Sequence, residues 1–196
     1  MANTYLLSDG AKRYLCCYYQ ILDEMIQGVT TAKLTQSVSH NLIVQLIPHQ
    51  QAAVRMCRNL LEVSDDRAVR RLAQGMADQC AQTVQALEEI LPAADPLTNP
   101  RPELWLCQRR MDLILREMFA RMRSAPEGNR VDAVFLRQML PHCRGAAQAV
   151  RTTLRYELCT QLPPVLRAVL EEQCRDARRM EALLRRMGCQ SPQLAF

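Results

Sequence analysis

Two histidines in similar surroundings are the residues of this chain best suited to chemistry. His49 follows Pro48 inside an apolar segment, and His142 follows Pro141 in a second apolar segment, 93 positions later. Cys143 comes directly after the second histidine. Neutral imidazole and deprotonated thiol are side chains that Zn²⁺ and copper ions favour as ligands. His49, His142 and Cys143 therefore predict a transition-metal site, provided that the fold brings the two segments together.

Further polar side chains lie where they could support such a site. Five of them are predicted to line the same layer: Gln50, Gln79, Gln173, Glu24 and Glu117. The two glutamates could add carboxylates, loosely as in di-iron helical bundles, although the Glu-x-x-His spacing of those sites is absent from this chain. A competing interpretation is that each histidine hydrogen-bonds Gln79 or Gln173 and only satisfies the core. The sequence leaves both interpretations open.

The two histidine segments belong to an internal repeat. The offset of 93 residues also aligns Gln45 with Gln138 and Leu61 with Leu154, and Gln79-Cys80 aligns with Gln173-Cys174 after one inserted residue. Self-similarity at a fixed spacing is typical of a fold that uses one structural unit twice. The sequence therefore predicts two similar units that pack around a pseudo-two-fold axis as one domain.

The elements that position these residues are predicted to be helices. The chain has 196 residues, 48% of them hydrophobic, only six are glycine, and no strand-like alternation is evident. Apolar residues recur at steps of three and four around both histidines, which is typical of a buried helical seam. The predicted helices cover about residues 11–27, 39–62, 64–91, 103–123, 132–153 and 163–187. The second, third, fifth and sixth are expected to form the central bundle.

Helix ends follow from capping residues and from glycine. Gly28 is predicted to stop the first helix, and Gly188 the last. Ser39 and Asp132 occupy matching positions and are predicted to cap the second and fifth helices.

Prolines divide the chain between the two repeats. Residues 92–102 contain four prolines, so this stretch is predicted to be a non-helical linker. The predicted organisation is a first repeat over residues 1–91, the linker over 92–102 and a second repeat over 103–196, packed together.

Charge and cysteine content restrict the partners. The net charge is +5, and nearly all of the basic residues are arginine. In residues 171–186 the arginines alternate with acidic residues, among them Asp176, which is typical of a solvated helix face and argues against nucleic acid as a partner. No apolar segment approaches the ~20 residues that span a bilayer, and no signal peptide is evident, so we expect a cytoplasmic protein without a membrane partner. Nine cysteines without a Cys-x-x-Cys pair agree with a reducing compartment.

The motif around each histidine resembles a known bacterial family. Leu-Ile-Pro-His-x-x-Ala-Ala-Val-x-Met at residues 46–56, with Leu-Ala and then glutamine about twenty residues on, resembles domain of unknown function 305. The resemblance implies a ferritin-like fold of paired helices in one or two copies, with Ile-Pro-His-His as its hallmark. Metal handling, copper in particular, has been proposed for secreted members, and it would carry over only to His49 and His142. The second histidine of the motif is Gln50 in the first copy and Cys143 in the second.

Together these observations predict a protein that is not an enzyme. No phosphate-binding loop, nucleophile elbow or His-Glu-x-x-His helix is present. We expect a ferritin-like helical bundle with a modified or vestigial site for copper or zinc at His49, His142 and Cys143. The alternative is a structural or protein-interaction module that binds no metal, and self-association is compatible with either.

Overall fold

The computed structural model describes residues 6–189, and within this range the chain forms six α-helices and no strand. The predicted all-α class is therefore confirmed. The helices are α1 (Asp9–Thr30), α2 (Val38–Leu61), α3 (Arg67–Ala94), α4 (Arg101–Arg123), α5 (Val131–Thr153) and α6 (Leu162–Arg186). None of these helices is both long and apolar enough to cross a bilayer.

Four helices form the centre of the molecule. Helix α2 packs against α3 and α5, and α6 packs against α5 and α3. Helices α1 and α4 lie on the outside, where α1 packs on α2 and α4 packs on α5. The largest apolar cluster takes residues from all six helices, so the two halves of the chain share one core. Helix α5 begins 93 residues after α2, and the helix bounds are compatible with the predicted repeat.

Helix α1 runs through Gly28, so the prediction that this glycine ends the helix is wrong. A Cβ atom added at Gly28 would lie 2.9 Å from the Cβ of Pro48. The glycine therefore serves close packing between α1 and α2 instead of chain reversal. At the other end of the chain Gly188 has a positive φ of 68° and directly follows the C-cap of α6, as predicted. There the amide of Cys189 donates to the carbonyl of Leu184, which completes a Schellman motif.

The caps of α2 and α5 differ from the prediction. Ser37, not Ser39, caps α2 by accepting a hydrogen bond from the amide of His40. Ser39 is buried, and its hydroxyl accepts from the amide of Cys159 in the loop before α6. Asp132 lies inside the first turn of α5, where its carboxylate accepts from the hydroxyl of Ser64. Ser39 and Asp132 thus connect segments that are distant in the sequence. A capping rule considers only neighbouring residues and cannot predict such contacts.

The proline-rich segment is shorter than predicted. Helix α3 continues through Pro92 to Ala94, and α4 begins at Arg101 with Pro102 in its first turn, where a missing N–H has no intrahelical partner to lose. The segment between them is held by Asn99, whose side chain accepts from the amide of Val38 and donates to the carbonyl of Glu157. The linker thus closes against the start of α2 and the loop before α6.

Candidate functional site

The two predicted histidines meet in the centre of the molecule, where α2 packs against α5. Their rings stack on each other with centroids 3.8 Å apart and an angle of 18° between the planes. Only 3% of His49 and none of His142 is exposed, so the predicted burial is confirmed. The two histidines are the pair that the predicted repeat aligns, 93 positions apart.

The four ring nitrogens of this pair have no hydrogen-bond partner among the described residues. The competing interpretation, in which each histidine hydrogen-bonds Gln79 or Gln173, is therefore wrong for the described structure. Burial lowers the pKa of His142 to about 4 and that of His49 well below its ordinary value. The neighbouring His142 lowers the pKa of His49 further, whereas the side chain of Gln50 raises it slightly. Gln50 does not make a hydrogen bond to the ring. Both imidazoles are consequently neutral near pH 7, the form that ligates metals.

The stacked arrangement limits what the pair can do as a metal ligand. The lone pairs of an imidazole lie in the plane of its ring, so two nearly parallel rings do not point their nitrogens at one ion. Within residues 6–189 no group of three or more histidine, cysteine, aspartate or glutamate side chains could hold a metal ion. The donors have suitable chemistry, but as arranged they do not fit a metal centre.

Cys143 lies in the same region but is a protonated thiol. It is fully buried, and burial is the main cause that raises its pKa well above the ordinary value. Cys57 and Cys80, which were not among the predicted site residues, are also buried, and burial raises the pKa of Cys80 to about 12. The thiol of Cys80 donates to Oε1 of Gln50, at 3.4 Å. Cys57 lies seven residues after Gln50 and therefore on the same face of α2. The sequence spacing thus indicated that Cys57 would be buried near Gln50.

A buried carboxyl group also lies near these thiols. Asp176 is only 4% exposed, so the prediction that it belongs to a solvated face is wrong. Burial raises its pKa to about 6, with opposing contributions from Arg179 and Arg175. The carboxylate lies 3.7 Å from the guanidinium of Arg179, which is itself 60% exposed. Asp176 lies three residues after Gln173, on the side of α6 that faces the interior. The alternation of charges in the sequence did not indicate this orientation.

The predicted supporting residues divide between core and surface. Gln50 and Gln173 are buried, whereas Gln79 is half-buried. Glu24 and Glu117 are exposed and do not contribute to the polar layer. Each glutamate is paired with an arginine instead: Glu24 with Arg55 and Glu117 with Arg121. The hydrogen bond from Arg55 is the main cause that lowers the pKa of Glu24.

Comparison with known proteins agrees with the motif. The sequence model of a protein family described as a domain of unknown function (DUF305) matches residues 39–184, which is most of the chain. This chain belongs to the DUF305 family. A crystal structure of a DUF305 fragment from Deinococcus radiodurans shares its fold, with a TM-score of 0.56 and 22% sequence identity, over 79% of this chain and 98% of the fragment. No curated protein matches the chain. The family has no defined function, so the likeness shows the fold alone.

Proposed function

We propose that this DUF305 protein is a non-catalytic, cytoplasmic, ferritin-like helical bundle that retains a vestigial transition-metal centre. The observation that carries the proposal is the stacked pair of His49 and His142, whose ring nitrogens are all buried and unpartnered in the described part of the chain. An unpaired buried donor or acceptor costs about 1–3 kcal/mol, so a layer of this kind is costly as packing alone. It is consistent with a ligand set from which members have been lost.

The identity of the neighbouring residues supports loss of ligands. Gln50 and Cys143 directly follow the two histidines, and both are buried. An amide is a weak ligand for Zn²⁺ or copper, and a thiol must lose its proton before it binds. The raised pKa of Cys143 opposes deprotonation of its thiol. In this proposal neither Gln50 nor Cys143 completes a ligand set, and the histidine pair is what remains of the former centre.

The burial of the pair supports a non-catalytic role. A general acid or base must lie within hydrogen-bonding reach of its substrate, directly or through one water. Both imidazoles are stacked on each other beneath the surface, so neither ring is presented to a substrate. All nine cysteines are free thiols, which supports a reducing compartment such as the cytoplasm.

Restoring the two missing histidines tests the proposal. We expect the double variant Gln50→His with Cys143→His to bind Zn²⁺ in calorimetric titration at least ~10-fold more tightly than the natural chain, because each added imidazole is a further ligand. Co²⁺ absorption reports whether the coordination is tetrahedral. Gln51→His is the matched control, since residue 51 is exposed on the same helix. Circular dichroism verifies that each variant folds.

The outcomes separate the alternatives. Tight binding by the natural chain would show that the present residues already form a competent site. Equal binding by the double variant and the Gln51→His control would assign the added affinity to the surface.

The second candidate is a structural or protein-interaction module without metal. The near-parallel stacking of the rings and the absence of a three-ligand group among residues 6–189 favour it. In that case neither the natural chain nor the double variant binds Zn²⁺. Replacing the histidine pair by apolar residues would then leave or raise the free energy of unfolding, because unpaired polar groups would be removed.

A further inference from the structure

Two adjoining cavities form a groove on the second half of the chain. The first, of about 280 Å³, lies between α4 and α5 beside Pro141, and the second, of about 590 Å³, lies between α5 and α6. The cavities share four lining residues: Glu117, Arg121, Arg144 and Gln148. We call the continuous depression the α5 groove. Its volume is sufficient for a small organic molecule.

Small side chains keep the α5 groove open. Ala147 and Ala177 line the cavity between α5 and α6. The wall also includes Cys143, which is buried. The floor is therefore apolar and is suited to the body of an organic ligand.

The sides of the groove are basic. Arg121, Arg137, Arg144 and Arg151 line it, against the single carboxylate of Glu117. Arg144 is paired with Glu181, at 2.5 Å. Arg137 and Arg151 have no carboxylate partner in residues 6–189, and Arg151 donates only to the sulfur of Cys174, at 3.3 Å. An anionic group would gain charge-assisted hydrogen bonds from these guanidiniums.

A buried acceptor completes the arrangement. Gln173 lines the cavity between α5 and α6, is only 3% exposed, and its Oε1 has no hydrogen-bond partner in the described structure. A buried acceptor of this kind is satisfied in most proteins. A ligand that carries an N–H or O–H group would satisfy it.

The first half of the chain lacks this combination. At the equivalent positions Gly28 replaces Arg121 and Gln51 replaces Arg144. Gln79, the counterpart of Gln173, is half-buried. Arg58 is the counterpart of Arg151 and provides a matched control on the same fold.

We propose that the α5 groove binds a small organic anion, with a carboxylate or sulfonate at Arg151, an apolar body over the alanines, and an N–H or O–H donor to Oε1 of Gln173. This site is separate from the histidine pair. It does not depend on metal binding.

The probe 8-anilinonaphthalene-1-sulfonate carries all three features: a sulfonate, aromatic rings and one N–H. N-phenyl-1-naphthylamine has the same rings and N–H but no charge. We expect saturable fluorescence with one sulfonate dye bound per chain, and at least ~10-fold weaker binding of the neutral dye, as loss of a charged hydrogen bond predicts. Arg151→Gln and Gln173→Leu should each weaken the sulfonate dye by ~5–10-fold or more. Arg58→Gln should leave its affinity unchanged.

A second readout places the dye on the protein. Cys174 lines the groove and is partly exposed. Cys16 is exposed on α1 and does not line the groove. Bound sulfonate dye should slow alkylation of Cys174 by iodoacetamide, but not that of Cys16, as measured by peptide mass spectrometry. Equal binding of the two dyes, equal effects of the Arg58 and Arg151 variants, or unprotected Cys174 at saturating dye would each overturn the proposal. Circular dichroism of each variant shows that lost binding is not lost folding.

Discussion

The hydroxyl of Tyr14 donates a 2.7 Å hydrogen bond to Oε1 of Gln138, which joins α1 in the first half of the chain to α5 in the second. Both residues are buried, with exposures of 1% and 0%. Nε2 of Gln138 has no partner among the described residues, so this bond is the only hydrogen bond of the amide in that part of the chain. The outer helix α1 is thereby fixed to the opposite half by a polar contact inside the core.

Removing the hydroxyl of Tyr14 measures how much this hydrogen bond contributes to the free energy of unfolding. We expect Tyr14→Phe to lower the free energy of unfolding by ~1–3 kcal/mol, because Gln138 Oε1 remains buried without a donor. Urea denaturation measures the change. Adding Gln138→Met should recover most of the loss, since both polar partners are then absent. A double variant that is less stable than Tyr14→Phe would show that Gln138 stabilises the fold by another contact.

The histidine pair should make the protein sensitive to acid. In the unfolded chain a histidine binds a proton as the pH falls below about 6.5, whereas His142 in the fold stays neutral down to about 4. The unfolded state therefore binds more protons in this window, and stability falls as the pH is lowered from about 6.5 to about 4, by up to ~1.4 kcal/mol per pH unit for each such histidine. The pKa of His49 is lowered in the same direction.

The measurement is urea denaturation across this pH range for the natural chain and for His49→Gln with His142→Gln. The variant should show a shallower dependence on pH, whatever its stability at neutral pH. Identical slopes would mean that the imidazoles titrate normally in the folded protein.

Asp176 should act in the opposite sense. Its pKa in the fold is raised to about 6 from an ordinary value of 3.8, so the folded state binds more protons between these limits. Its contribution to stability is present below about pH 3.8 and is lost as the pH rises through about 6. We expect Asp176→Asn to stabilise the protein by on the order of 1–3 kcal/mol near neutral pH and to give no gain near pH 4. Destabilisation at neutral pH would instead show that the ion pair with Arg179 outweighs burial.

Two glycines in helices should respond differently to alanine. A Cβ atom at Gly145 would lie 2.5, 2.7 and 2.9 Å from Sδ, Cγ and Cβ of Met118, so Gly145→Ala should cost ~1–3 kcal/mol by overpacking. No atom lies within 4 Å of a Cβ placed at Gly75, which is exposed in α3. Gly75→Ala should therefore stabilise the protein by up to ~1 kcal/mol through helix propensity. Thermal denaturation compares the two, and Met118→Ala combined with Gly145→Ala tests whether the clash is the cause.

The helical content and helix order could be predicted from the sequence because the apolar periodicity is strong. The burial of both histidines followed from the same seam. The contact between their rings could not be predicted, because it depends on how α2 crosses α5 and not on the spacing within either helix. Whether the histidines would hydrogen-bond Gln79 or Gln173 therefore depended on the tertiary structure and not on the sequence spacing.

Helix ends were predicted less well than helix interiors, and the reason is tertiary. The hydroxyl of Ser37 donates to the carbonyl of Ala94, at 2.8 Å, while it also caps α2. A local rule could not identify this contact between the end of α3 and the start of α2. Asp176 was missed for a related reason, since a run of alternating charges does not reveal which member faces the interior.

The contact between His49 and His142 has a consequence for how this layer can vary. In a symmetric dimer of a single repeat, a residue on the two-fold axis would meet its own copy, and one substitution would alter both sides of the contact together. Here both sides are encoded separately in one polypeptide. The adjacent positions already differ, with an amide at Gln50 and a thiol at Cys143. Covalent linkage of the halves thus allows an asymmetric core that no homodimer of identical repeats could contain.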